Sequence, residues 1–205
     1  LTFFNSNAQQ HDWSFGIGGT STESIEAIEP SPDGTIIVTG NFGSQNLDFD
    51  PSTGQSLESP LGGYDMFLAK YDEDSLIWLK TLAGTDFNAA RDLAVASNGD
   101  ILVTGTFNDV VNFDSDGTYE LDAGIGADAF VARYGNDGSF QSVFALEGDH
   151  QTTGAAIELD GSGNIYLSGT LSDSADFDPG AETAQVLNSP SGLFLAKYSS
   201  TGAYQ

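Results

Sequence analysis

Cysteine is absent from the 205 residues, so no disulfide can stabilise the fold, and neither a thiol nucleophile nor a zinc–thiolate centre is available. Basic residues are nearly as scarce: five Lys and Arg stand against 30 Asp and Glu, a formal charge of −25. A surface of that sign repels phosphate backbones, which makes nucleic acid a poor partner, and it attracts cations. No apolar run reaches about 18 residues, so no membrane-spanning helix is expected. Methionine occurs once, and the helix formers Lys, Arg and Gln are few. What the chain has instead is 14 Phe, seven Tyr and 25 Gly among many Ser, Thr, Asn and Asp, a composition for short strands and tight turns. A disordered acidic chain would share the charge but not the 39% hydrophobic content, so the acids belong mostly on surfaces and loops.

Residues 1–10, "LTFFNSNAQQ", begin without Met and pass from an apolar stretch to the small-residue "SNAQ". They read as the last part of a secretory signal peptide lacking its charged n-region, with the mature chain starting near Gln9 or Gln10 and exported. The other reading is a disordered or strand-forming N-terminus.

The chain repeats. Gly34, Gly99 and Gly163 stand in register, as do Gly40, Gly105 and Gly169 in "IIVTGNF", "ILVTGTF" and "IYLSGTL". Further on, "MFLAKY", "AFVARY" and "LFLAKY" start at Met66, Ala129 and Leu193, and "WSFGIGG" at Trp13 matches "WLKTLAG" at Trp78 and, more weakly, "SVFALEG" at Ser142. Alternation and turn residues give four strands per unit. Strand A carries Ile28, Leu93 or Ile157 on one face; strand B is the "TG" strand; strand C is the "FLAKY" strand; strand D carries the tryptophan. The resulting division is a strand D over 12–19, repeat 1 over about 20–84, repeat 2 over about 85–148 and an incomplete repeat 3 over about 149–205, residues 11–205 in all. The fold class is all-β: a β-propeller fragment of about three four-stranded antiparallel blades, with a β-sandwich array as the less favoured alternative. The long connection between strands B and C holds the surplus of roughly 20 residues over a propeller repeat of about 40–45.

The order "W…GG…A…GNIYLSG…DFDPG…FLAKY" resembles the SBBP-type bacterial β-propeller repeats of exported proteins in Bacteroidota and related groups, over nearly the whole chain. The resemblance implies a propeller fold and export to the outside or surface of a bacterial cell, and it brings no general catalytic motif. Propellers close with about four to eight blades, so the remaining blades of a longer chain are expected partners. Residues 13–19 would then complete the last blade of the ring. Without later blades, the segment is expected to stay open and to associate through exposed edges.

The B–C connection carries a recurring Asp-Phe-Asp signature: "LDFDPSTG" from Leu47, "VNFDSDG" from Val111 and "ADFDPG" from Ala175. One reading is calcium, which needs about six to eight oxygens that closely spaced carboxylates can supply. Asn112, Asp114 and Asp116 come nearest to a D-x-D-x-D-G loop, although Ala123 stands where an EF-hand requires a bidentate Glu. Asp48 with Asp50 and Asp176 with Asp178 lose the third carboxylate to Pro51-Ser52 and Pro179-Gly180. The other reading is structural: Phe49, Phe113 and Phe177 anchor the loop, and the flanking Asp side chains bond backbone N–H groups. A glycosidase-like pair is disfavoured by three equivalent copies, because an active site normally breaks the symmetry of its scaffold.

Lys70, Arg133 and Lys197 share one position in strand C. Either each pairs with the Asp-Phe-Asp loop of its own blade, or each is a solvated strand residue worth under about 1 kcal/mol. Glu29 and Glu158 are channel-lining or solvated, Trp13 and Trp78 stack sugars or pack between blades, and His11 and His150 are surface residues. No Gly-x-Ser-x-Gly or phosphate-binding loop is present. These features point to a non-catalytic exported scaffold or binding module for protein or glycan partners, with calcium as the one cofactor to test. The alternative is part of a propeller-fold polysaccharide lyase or hydrolase whose site is completed elsewhere.

Overall fold

A computed structural model of the chain describes residues 12–114, 117–178 and 186–205. Among these residues there are 13 strands and no helix, hence none long and apolar enough to cross a membrane. The strands fall into three successive antiparallel units. The first contains β1 (Glu23–Pro30), β2 (Ile36–Phe42), β5 (Asp65–Asp72) and β6 (Ser75–Leu82), hydrogen-bonded in that order; the short strands β3 (Leu47–Asp48) and β4 (Leu57–Glu58) form a hairpin of their own between β2 and β5. The second is β7 (Ala89–Val95), β8 (Ile101–Asn112), β9 (Glu120–Tyr134) and β10 (Phe140–Leu146). The third is β11 (Gln151–Leu159), β12 (Ile165–Asp176) and β13 (Val186–Tyr198), followed by a bridge from Tyr198 to Tyr204. One parallel pair, Gln151 with Ala127, links the second unit to the third. The described units do not close into a ring.

The second unit is apolar on both faces because it is covered on both sides, by the first unit and by the third. Ile37, Met66 and Leu68 of the first unit pack against Leu93, Ile101 and Val103 of the second. Leu102, Ala129 and Val131, on the opposite face of the second unit, pack against Ile157, Ile165 and Leu167 of the third. The outer face of the first unit, with Val38, Phe67 and Tyr71, is covered in part by Phe15 and Ile17.

The "TG" glycines answer a close approach. A Cβ on Gly40, Gly105 or Gly169 would lie 1.9, 2.1 or 1.8 Å from the carbonyl oxygen of Ser24, Ala89 or Thr153. Those carbonyls belong to bulged stretches of strand A, between Ile25 and Ala27, Ala90 and Asp92, and Gly154 and Ala156. A bulge in one strand thus dictates glycine in the next.

Two expectations differ from what is found. Residues 12–19 lie against the first unit but carry no strand pairing. In the second and third units the B–C connection is not a loop for most of its length: β8 and β9, and β12 and β13, run on as two-stranded arms, with Val111 paired to Leu121 and Ala175 to Leu187. The arms bend at Asp109 and Asp173, whose φ angles of 56° and 74° place them in the left-handed region that Asp tolerates better than most side chains.

Candidate functional site

The Asp-Phe-Asp segments sit in the B–C connections, and the phenylalanine fixes each of them. Phe49, Phe113 and Phe177 are buried, with ring centroids 4.9 Å from Phe67, Phe130 and Phe194 of strand C in every unit. Strand C also holds the backbone: the Tyr71 hydroxyl donates to the Phe49 carbonyl at 2.9 Å and Tyr134 to Phe113 at 2.8 Å. Burial pushes both phenols well above their ordinary range, so they stay donors at any physiological pH.

The first polar residue of each segment makes an Asx-turn. Asp48 Oδ1 accepts from the N–H of Asp50 at 3.1 Å and of Ser56 at 2.9 Å. Asn112 Oδ1 accepts from Asp114 at 2.9 Å, and Asp176 Oδ1 from Asp178 at 3.0 Å. Asp50 in turn accepts from the Ser52 N–H at 2.9 Å, and the Ser52 hydroxyl and N–H hold its carboxyl below the usual range. These oxygens face their own backbone, as the structural reading requires. Among the described residues no group of three acidic or histidine side chains converges on one point. Asp116, the third member of the calcium candidate, lies outside the described residues, as does His11.

The arms are tied to the preceding unit. Gly84 bridges to Val111 and Gly148 to Ala175, and the Asp176 N–H donates to the Glu147 carbonyl at 2.9 Å. Two buried carboxylates organise these junctions. Asp65 Oδ2 accepts from the Leu61 N–H at 2.7 Å, and its Oδ1 accepts from the Gly84 N–H at 3.0 Å and from Asn88 Nδ2 at 3.4 Å. Asp128, in the same repeat position, accepts from the Gly148 N–H at 3.2 Å. Sequence reasoning missed both, although each stands in register one residue before "MFLAKY" or "AFVARY"; the third unit has Gly192 there.

Asp128 is 3% exposed, and burial raises its pKa to about 6. The fold therefore favours its neutral form. Its contribution to stability is greatest below about pH 4, declines as pH rises towards about 6, and is flat above; the total is at most about 3 kcal/mol. Urea unfolding at a series of pH values is expected to show that decline, and Asp128→Asn to flatten it. A decline unchanged in the variant would place the titrating group elsewhere.

Lys70 and Arg133 of strand C bond turns rather than the described part of the Asp-Phe-Asp loops. Lys70, 4% exposed, bonds Asp33 at 2.7 Å in the A–B turn of its own unit and the Asn136 carbonyl at 3.2 Å in the C–D turn of the next. Lys70 holds the Asp33 carboxyl well below its usual range, helped by Thr35 and Asn136. Arg133 repeats this, donating to the Ser200 carbonyl at 2.6 Å with Asp100 at 3.7 Å. Lys197 lies over the Tyr166 ring at 5.3 Å. Trp78 is half-buried between units, its Nε1 donating to the Asn136 carbonyl at 3.2 Å, which is the packing role. His150 is exposed, 3.7 Å from Asp173, and Glu29 and Glu158 are exposed on strand A.

A concavity lies on the outer face of the first unit. It has a volume of about 480 Å³ and is walled by Trp13 and Phe15 on one side and by Ile25, Ile28, Val38 and Tyr71 on the other. Phe15 stands 5.1 Å from Tyr71 and Trp13 stacks on Phe15 at 5.8 Å, so residues 13–17 cover part of this face and wall the remainder.

No family model matches the chain. In an alignment 148 positions long that covers 64% of the chain, it is 28% identical to the regulatory protein FlaEY of Caulobacter vibrioides. The matched segment makes up 15% of that protein, so the similarity concerns a small part of a much longer chain.

Proposed function

We propose that this chain is part of an exported β-propeller that acts as a non-catalytic scaffold, offering its B–C arms to a protein or glycan outside or on a bacterial cell. One observation carries the reading. A strictly repeated frame, with the same phenylalanine anchor and the same strand C in each unit, supports three B–C connections of different build, a separate hairpin in the first unit and extended arms in the others. Frames that hold constant while their connections vary are the usual way of presenting a binding surface. Asx-turns give Asp48, Asp50 and Asp176 a structural role that asks for no catalysis. The calcium part of the proposal is confined to the second connection, where Asn112, Asp114 and Asp116 stand two residues apart.

The test presents the chain to an array of acidic and neutral bacterial polysaccharides and to outer-envelope protein extracts, with calcium and with chelator, while product formation is followed. Saturable binding without turnover is the expected result. Release of reducing ends or of unsaturated sugars would establish the lyase or hydrolase reading instead. Calorimetric titration with calcium, in wild type and in Asp114→Asn, decides the metal: no heat and no change in melting temperature removes it.

A further inference from the structure

The two junctions between units differ where strand D meets the strand C cation. In the first unit Trp78 pairs with Lys70, and in the second Ser142 pairs with Arg133, the cation at the same repeat position. A serine thus stands where the first unit has an indole.

At the first junction the indole fills the space under the C–D turn of the following unit. A Cβ on Gly138 would lie 3.0 Å from its Cδ2, and its Nε1 donates to the Asn136 carbonyl at 3.2 Å. At the second junction the matching turn holds Gly202, where a Cβ would meet nothing within 4 Å except the Phe144 ring, at 3.7 Å. The space remains as a pocket of about 210 Å³, with Leu102, Val131, Arg133, Ser142, Phe144 and Gly202 in its lining.

This pocket does not depend on what precedes or follows the described units. At the first junction the following unit has all four of its strands, and the same place is still filled by Trp78. The pocket therefore comes from the serine.

Its polar side is Arg133. Lys70 has three acceptors, the Asp33 carboxylate and both oxygens of Asn136, whereas Arg133 bonds the Ser200 carbonyl at 2.6 Å with Asp100 at 3.7 Å. Its Nε has no hydrogen-bond acceptor among the described residues. A guanidinium carries five N–H groups, so donors remain for an oxygen that a ligand brings.

We propose that this pocket binds a small neutral phenol, a single aromatic ring bearing a hydroxyl. The ring takes the place that the indole has at the first junction, against Gly202 and beside Phe144, and the hydroxyl oxygen accepts from the Arg133 guanidinium. Neutrality follows from the formal charge of −25, which disfavours an aromatic carboxylate. The site lies at the C–D turns, at the other end of strand C from the arms, so this inference and the proposed function can each fail alone.

The test is titration of the 205-residue chain with p-cresol, followed by calorimetry and NMR, with toluene as the ring that lacks the hydroxyl. One-to-one binding of p-cresol with a Kd of about 1 mM or tighter is expected, and binding of toluene about fivefold weaker or more. Ser142→Trp is expected to abolish binding and to raise the midpoint of thermal unfolding, because it restores the filling of the first junction. Arg133→Met, which keeps the aliphatic stem, is expected to bring p-cresol down to the level of toluene. No saturation at about 10 mM p-cresol overturns the proposal, and so does equal binding of the two probes or binding unchanged in Ser142→Trp. Should either variant fail to fold, the comparison of the two probes on wild type decides alone.

Discussion

Replacing Phe113 with alanine is expected to destabilise the protein by about 3–5 kcal/mol, lowering the midpoint of thermal unfolding by roughly 10 °C. The ring is 1% exposed and touches two others, edge-on to Phe107 at 5.6 Å and tilted against Phe130 at 4.9 Å. Its loss leaves a cavity between strands B and C, together with the aromatic contacts worth about 0.5–1.5 kcal/mol each. Because the Phe113 carbonyl also accepts the Tyr134 hydroxyl, a shift in the backbone would leave a buried phenol without an acceptor. Phe113→Leu, which keeps most of the volume, should recover over half of the loss. Differential scanning calorimetry checks both. A change below about 1 kcal/mol in the alanine variant would mean that the phenylalanine does not anchor the arm.

Asp65→Ala is expected to be nearly as damaging, about 3 kcal/mol or more, for a different reason. Asp65 is fully buried and accepts three hydrogen bonds, from Leu61, Gly84 and Asn88. Alanine strands all three donors away from water, at about 1–3 kcal/mol for each that finds no new partner. Asp65→Asn keeps a carbonyl oxygen for Gly84 and Asn88 but turns its amide towards the Leu61 N–H, so an intermediate loss is expected. Hydrogen exchange adds a local readout: the amides of Leu61 and Gly84 should lose protection in the alanine variant ahead of the strand interiors. Unchanged protection at Gly84 would sink the assignment of Asp65 as the clasp between the end of β6 and the start of β5.

Much of this architecture is legible before any coordinates. The period, the four strands and the anchoring role of Phe49, Phe113 and Phe177 follow from glycines in register and from apolar alternation, which report what a side chain buries. The cross-unit partners of Lys70 and Arg133 were not legible, because a carbonyl about 66 residues away leaves no mark on the sequence, and the Asn136 side chain that also accepts from Lys70 reads as an ordinary turn asparagine. The arms were hidden for a related reason. The stretch "LDAGIGAD" holds two positive-φ glycines and two aspartates and reads as a loop, and its middle, Ala123 to Gly126, is indeed unpaired; only the backbone ladder on either side of it, at Leu121 and Asp122 and again at Ala127 and Asp128, makes the arm. Asp65 and Asp128 were visible in register, but a buried carboxylate cannot be told from a surface one by spacing alone.

The cross-unit cation has a consequence for how such a chain changes length. Arg133 reaches the following unit through a main-chain carbonyl, that of Ser200, whereas Lys70 reaches both the carbonyl and the side-chain Oδ1 of Asn136, whose amide in turn donates to Asp33. The receiving turn at the Arg133 junction therefore needs only the right path, and the one at the Lys70 junction needs an asparagine as well. A duplicated or deleted unit would keep the main-chain part of the contact with any new neighbour and would lose the side-chain part wherever that asparagine is missing. Junctions of the first kind are thus open to recombination without matched substitutions on both sides, and junctions of the second kind are not.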